Sequence, residues 1–268
     1  MSPKTTFETL LLATNAGVAT LTLNRPGSLN ALSPTMADEL WAALTWVRSS
    51  SSIRVLVLQG AGDAFCAGGD VRTMHAAGVR TTEETRASME RYRRLVLTLW
   101  NLDQPVIAAA DGVAYGAGFS LLLLCDIVLL SERARLCMAF QRIGLLPDCG
   151  ALFTLPRVVG LQRAKELMLS GREIGAREAQ AMGIALEVLP IAQLFPRAQA
   201  MAKALCDASP EAMPLVKRAL NQSQQSDLET MLALEASGQG TALTSDYLME
   251  SALRFTAKQP RQFNWPQG

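Results

Sequence analysis

Residues 111–130 read "DGVAYGAGFSLLLLCDIVLL", an apolar run studded with three glycines and carrying one acid at each end. Read outward, "PVIAAADG" before it has the length and apolarity of a buried strand, "AGFSLLLLC" of a short buried helix, and "DIVLLS" of a second strand. A strand, a helix and a strand in succession require a crossover connection, which places the two strands parallel in one sheet. The same alternation extends upstream. "VATLTL" (18–23) and "IRVLVLQG" (53–60) are strands, and "EETRASMERYRRLVLTLWNL" is an amphipathic helix. "SPTMADELWAALTWVRS" is a helix with Ser33 as its cap and Pro34 at its first position. Beyond residue 160 the texture changes to helical patterns in succession, interrupted by one strand-like piece, "ALEVLP". The expectation is an α/β core over residues 1–195 and a helical region over 196–268, without internal repeats or linkers.

Composition bounds the function. The chain has 268 residues, 49% of them apolar, enough for a sizeable core. Lys plus Arg number 25 against 24 Asp plus Glu, so no global field attracts nucleic acid or an anionic membrane. Any anionic ligand must be held by local charges. The five cysteines show no C-x-x-C pair and no metal-ligand spacing, the pattern of reduced, buried thiols. The opening "MSPKTTFETL" carries no targeting pattern and no apolar run approaches a membrane span, so a soluble, cytoplasmic protein is expected, with no metal and no separate cofactor.

Two glycine loops follow strands: "GAGDAFCAGGD" (60–70) and "DGVAYGAGFS" (111–120). Either can be a tight turn in which glycine serves geometry alone. Either can also bring main-chain N–H groups against a ligand at the carboxyl ends of the strands. In the second loop a helix begins at once, so its free N–H groups and positive dipole end converge there, as for an anion site or an oxyanion hole. Neither loop has the dinucleotide spacing G-x-G-x-x-G, and no phosphate-binding P-loop is present. Downstream, "CMAFQRIGLLPDCG" (137–150) sets a solitary carboxylate, Asp148, among leucines, isoleucine and glycine. It can cap a helix beginning near Gly150, or it can do chemistry. Asp70 and Asp126, beside turns, read as structural caps, His75 as a helix-surface residue and Cys149 as wall.

Taken in order, "NRPGSLNAL" (24–32), "FCAGGD" (65–70), "DGVAYGAGFSLLLLCDIVL" (111–129), "IGLLPDCG" (143–150), "LPRVVG" (155–160) and "ELMLSGREIGAREAQAMGI" (166–184) resemble the enoyl-CoA hydratase/isomerase, or crotonase, superfamily. The resemblance covers nearly the whole chain. It implies a spiral of repeated ββα units, a helical trimerisation region at the C-terminus, a homotrimer or homohexamer, and an acyl-CoA thioester as ligand, with coenzyme A part of the substrate. It assigns the oxyanion hole to the N–H groups of Gly69 and Ala117. It puts the adenine near Cys66, Ala67 and Gly68, and makes Arg25 a candidate for the pantetheine or phosphate side. Phe255 and Lys258 fall where the family closes the coenzyme A site, sometimes from a neighbouring subunit.

Departures from the family pattern narrow the reaction. The two glutamates that hydratases use are replaced by Ser120 and Phe140, which count here as substrate-binding residues; neither can act as a general acid or base near neutral pH. The position where isomerase members carry their carboxylate holds Asp148. "FQRIGLLPDCGALFTLPRVVG" is most similar to the branch that isomerises ring-1,2-epoxyphenylacetyl-CoA in phenylacetate degradation and migrates enoyl-CoA double bonds. The expectation is an acyl-CoA isomerase using Asp148. Two alternatives stay open: a hydratase using another acid, and a non-catalytic acyl-CoA-binding or assembly subunit.

Overall fold

A computed structural model describes residues 6–78 and 80–267; residues 1–5 of the opening segment, Val79 and Gly268 lie outside the described residues. The first half of the chain runs β1 (Leu10–Asn15), β2 (Val18–Leu23), α1 (Pro34–Ser49), β3 (Val55–Gly60), β4 (Ala64–Cys66), α2 (Val71–Ala76), α3 (Thr82–Trp100), β5 (Val106–Ala110), β6 (Val113–Tyr115), α4 (Ala117–Leu123), β7 (Ile127–Ser131) and β8 (Arg135–Cys137). The second half runs α5 (Ala151–Val159), α6 (Leu161–Ser170), β9 (Glu173–Gly175), α7 (Ala176–Ala181), β10 (Glu187–Leu189), α8 (Ile191–Cys206), α9 (Ala212–Ser223), α10 (Leu228–Ala242) and α11 (Asp246–Thr256). Ser33 caps α1 as expected, accepting from the Met36 N–H at 3.1 Å, with Pro34 at the first helical position.

Two sheets share the strands. The larger has the order β1-β2-β3-β5-β7-β10 and the smaller β4-β6-β8-β9. In the larger sheet only β1 and β2 pair antiparallel; β2 to β10 run parallel. Each of β3, β5 and β7 is followed within a few residues by a short strand of the second sheet, β4, β6 or β8, and then by helix. That is the spiral of ββα units the family resemblance implied. Strand reading from residue types found the long members and missed β1, β4, β6, β8 and β9. Four of these five are three residues long, too short to show a period.

Alternation along the parallel strands divides the core between two faces. Val55, Val57, Ile107, Ala109 and Leu129 pack against Leu194, Ala198 and Met201 of α8. Leu56, Leu58, Val106, Ala108 and Leu130 face the main core, with Met36, Leu40 and Leu44 of α1 and Phe65 and Leu136 of the second sheet. The last helices are different. Neither α10 nor α11 has a buried residue, and Leu228, Leu232, Leu243, Met249, Leu253 and Phe255 are exposed. The α9 helix is tied down by Lys217, whose Nζ donates to Asp126 Oδ2 at 2.7 Å and to the Gln104 carbonyl at 3.0 Å.

Candidate active site

The "NRPGSLNAL" segment is the clamp of the first glycine loop. Buried Asn30 accepts from the Arg25 N–H at 2.8 Å and donates to the carbonyls of Ala61 and Ala64 at 2.9 and 2.7 Å. The Ala67 N–H donates to Leu29 O, the Leu32 N–H to Gly68 O at 2.7 Å, and the Asp70 N–H to Leu32 O at 3.1 Å. Leu32 thus bridges Gly69 in parallel fashion through that residue's two neighbours. The amide of Gly69 itself is turned away from Leu32. Its direction is fixed by bonds on either side of it.

The second loop comes up against the first. A Cβ at Gly68, which has φ +98°, would sit 2.7 Å from the Tyr115 carbonyl oxygen, and one at Gly118 would overlap the Cys66 carbonyl oxygen. Only glycine permits these approaches. The packing brings Ala117, the first residue of α4, beside Gly69, and both line one cavity of about 210 Å³. As a first-turn residue, Ala117 has an N–H with no acceptor inside its helix. Gly69 and the N-terminal residue of α4 therefore border the same space.

Asp148 lines that cavity too. The helix after it, α5, is capped by Gly150 without a side-chain bond, so Asp148 is not its cap; it contributes only its carbonyl, which accepts from the Ala151 N–H at 3.1 Å. Its Oδ1 is buried and has no hydrogen-bond partner among the described residues. Burial pushes the carboxyl above the usual carboxylate range, opposed by a hydrogen bond from the Cys149 thiol. Cys149 holds a left-handed φ of +50°, strain of a kind that persists where surrounding structure enforces it. Burial also raises its thiol well above the ordinary range, and that of Cys66 to about 11, so neither is a thiolate near neutral pH.

The remaining expected residues fall into three groups. Ala67 and Phe140 line the cavity, and Phe140 lies against Gly116. Buried Ser120 donates back to the Gly116 carbonyl at 3.1 Å, and Cys66 is fully buried at the end of β4, so both support the loops from behind. Arg25 donates to the Ala31 carbonyl at 2.6 Å and to Asp70 Oδ2 at 2.8 Å. Burial would raise the Asp70 carboxyl, but bonds from Arg25 and from the Thr73 N–H it caps outweigh this and hold it low. Asp126, bonded to Lys217 and to the Val106 N–H, is likewise structural. Phe255, 84% exposed, and Lys258 are not in the cavity wall. His75 is exposed on α2, whose Val71 and Met74 line the cavity instead. Val71 and Met74 belong to the segment "DVRTMHAAGVRTTEETRASMERY" (70–92) that the sequence offers as pocket lining, whereas Arg142, Ile143 and Leu145 were not singled out as wall residues. All five sit in a six-residue helix, a short 3-10 turn and an irregular segment, where no periodicity marks a face.

Among the described residues no group of three or more His, Cys, Asp or Glu side chains could hold a metal ion, and no helix is long and apolar enough to cross a membrane. The cavity is lined by Gly69 and Ala117, by two charged side chains, Asp148 and Arg142, and by a mainly apolar wall.

The chain is similar to known proteins along nearly its whole length. Residues 13–267 match the enoyl-CoA hydratase/isomerase family. Over 96% of this chain and 98% of the relative, it is 38% identical to 1,2-epoxyphenylacetyl-CoA isomerase of Escherichia coli. A probable enoyl-CoA hydratase of Rhodobacter capsulatus is 37% identical over the same shares. Among solved structures, an enoyl-CoA hydratase/isomerase from Cupriavidus metallidurans superposes with a TM-score of 0.94 at 39% identity, covering 98% of this chain and 99% of that one.

Proposed function

Because the chain belongs to the enoyl-CoA hydratase/isomerase family, we propose that it is an acyl-CoA isomerase in which Asp148 is the acid and base. The observation that carries this reading is the buried, unpartnered Asp148 Oδ1 in the cavity that Gly69 and Ala117 line, with no carboxylate at Ser120 or Phe140. The thioester oxygen accepts from the Gly69 and Ala117 amides, which favour the enolate over the ketone form. Donors of this kind contribute about 3–4 kcal/mol each. Asp148 takes a proton from C2 of a 3-enoyl thioester, giving a dienolate, and returns the same proton to C4 as the double bond settles between C2 and C3. One carboxylate suffices, because the proton given up is the proton delivered. Water addition needs a group to activate water and another to donate a proton, and the cavity wall holds one carboxylate. The same pairing of enolate stabilisation and a single acid/base extends to ring-1,2-epoxyphenylacetyl-CoA, the substrate named for the Escherichia coli relative.

The exposed apolar residues of α10 and α11 support assembly of this chain with copies of itself, as a homotrimer or homohexamer. Phe255 and Lys258, outside their own cavity, then close a neighbouring coenzyme A site. Light scattering of the purified protein tests the assembly: a monomer at micromolar concentration refutes it.

The reaction is tested with a panel of 3-enoyl-CoA, ring-epoxidised phenylacetyl-CoA and crotonyl-CoA. Isomerisation of the first or second, reduced about 10²- to 10⁴-fold in Asp148→Asn with acyl-CoA binding retained, is expected. Undiminished turnover in Asp148→Asn, or rapid crotonyl-CoA hydration without isomerisation, overturns the reading. Tight binding without turnover on all three supports a non-catalytic binder instead.

A further inference from the structure

Two charged side chains line the cavity, Asp148 and Arg142, and among the described residues they form no ion pair with each other. Arg142 lies on the 3-10 turn Ala139–Ile143 and is anchored from one side. Its Nε donates at 2.9 Å to the carbonyl of Gly171, which also accepts from the Cys137 thiol at 3.1 Å. The hydrogen bonds found among the described residues use no other nitrogen of this guanidinium. A guanidinium is planar and always charged, so holding Nε on the scaffold fixes the plane and leaves the Nη donors for another acceptor. Its neighbours in the wall, Val71, Met74, Phe140, Ile143 and Leu145, offer no side-chain acceptor.

The cavity's size limits what enters. About 210 Å³ exceeds the roughly 150 Å³ of an apolar cavity known to take up benzene, so a ring-sized group fits. Arg142 is exposed, so a plain hydrocarbon of that size leaves its donors to water and gains nothing from them, whereas an acceptor oxygen gains a bond. Arg142 stands on a segment separate from the two loops that supply the amide donors, so one acyl group can meet both.

We infer that Arg142 is a specificity-determining residue that selects ring-sized acyl groups carrying a hydrogen-bond-accepting oxygen, which its Nη groups bind while the hydrocarbon body packs on the apolar wall. This rests on the reading of the cavity as the acyl site. The oxygen is recognised by its acceptor character, so hydroxyl, ether, ketone and carboxylate oxygens all qualify, the charged one most strongly.

Calorimetric titration with two matched pairs of unreactive esters tests the inference: phenylacetyl-CoA against 2-hydroxyphenylacetyl-CoA, and hexanoyl-CoA against adipoyl-CoA, on wild type, Arg142→Lys and Arg142→Met. In wild type the oxygenated member of each pair binds more tightly, by about tenfold for adipoyl-CoA. That preference largely disappears in Arg142→Met and is partly kept in Arg142→Lys, while the affinities of hexanoyl-CoA and phenylacetyl-CoA stay as in wild type. Three results overturn it: no preference in wild type, which needs no variant to fold; a preference undiminished in Arg142→Met; or an equal loss for all four esters and for free coenzyme A, which would place Arg142 on the coenzyme A phosphates. If none of the four esters binds wild type, the acyl-site reading fails with it, a result distinct from binding without preference.

Discussion

Replacing the proposed catalytic carboxylate should make the protein more stable as it becomes inactive. Asp148 Oδ1 is buried without a partner among the described residues, and burial raises the carboxyl above its ordinary range despite the Cys149 thiol. In the unfolded chain an aspartate titrates near 3.9. Between that value and the higher folded one, the native state holds more proton than the unfolded state, so stability falls as pH rises through the window. Below the window both states are protonated and nothing is lost; above it the native state carries an ionised, unpartnered oxygen. A buried group left unsatisfied costs about 1–3 kcal/mol, and the lower end applies because asparagine leaves a neutral polar group in place. Asp148→Asn should therefore gain about 1 kcal/mol at pH 8, or roughly 2–4 °C in Tm. The gain should shrink toward zero as pH is lowered to about 4. Calorimetric scans at pH 8, 6 and 4, at one protein concentration because assembly shifts Tm, provide the measurement. A variant that melts below wild type at pH 8, or whose advantage grows toward acid, refutes the placement of this carboxyl in a water-poor site.

Three further expectations follow from the same packing. Gly118→Ala, which touches no substrate, should force β4 and α4 apart because its Cβ would overlap the Cys66 carbonyl oxygen; turnover should fall at least about 10²-fold, the loss seen when one oxyanion donor is misplaced, and normal kinetics would contradict the assignment of these amides. Lys217→Met removes the cation from the exposed Asp126 carboxylate and the donor from the Gln104 carbonyl, so the denaturation midpoint should fall by the equivalent of about 1 kcal/mol, and an unchanged midpoint would show the ion pair to be idle. Removing the thiol donor in Cys149→Ala lets burial raise the Asp148 carboxyl further, moving the acid limb of the kcat/KM pH profile upward, whereas Cys149→Ser keeps a donor and should stay near wild type.

Much of this architecture could be read without coordinates because its signals are local. Ser33 followed by Pro34 marks the start of α1, and the apolar runs at 55–60, 106–110 and 127–131 announce parallel strands. The second sheet could not be read this way, since β4, β6 and β8 are three-residue pieces whose identity comes from each other across gaps of tens of residues. Asp148 could be found but not interpreted: spacing alone allowed a helix cap, and only the Gly150 cap, together with an orphaned Oδ1, separates the two uses. Arg142 carried no signal at all, because an arginine in a polar-looking turn resembles any surface arginine until its Nε is seen on Gly171. Asn30 is the reverse case, a residue inside a recognised motif whose task is to pin Ala61 and Ala64.

The two donors proposed at Gly69 and Ala117 belong to the main chain, and this shapes how such a protein can change over generations. A codon change at 117 can swap the side chain but, proline aside, cannot delete the amide. Inheritance can damage the device only by bending it, through neighbours such as Gly68 and Gly118 that hold the loops together. The wall at Val71, Met74, Arg142 and Leu145 has no such protection and no such constraint. Novelty in what the protein accepts can accumulate there, one replacement at a time, while the proposed main-chain donors are carried forward intact.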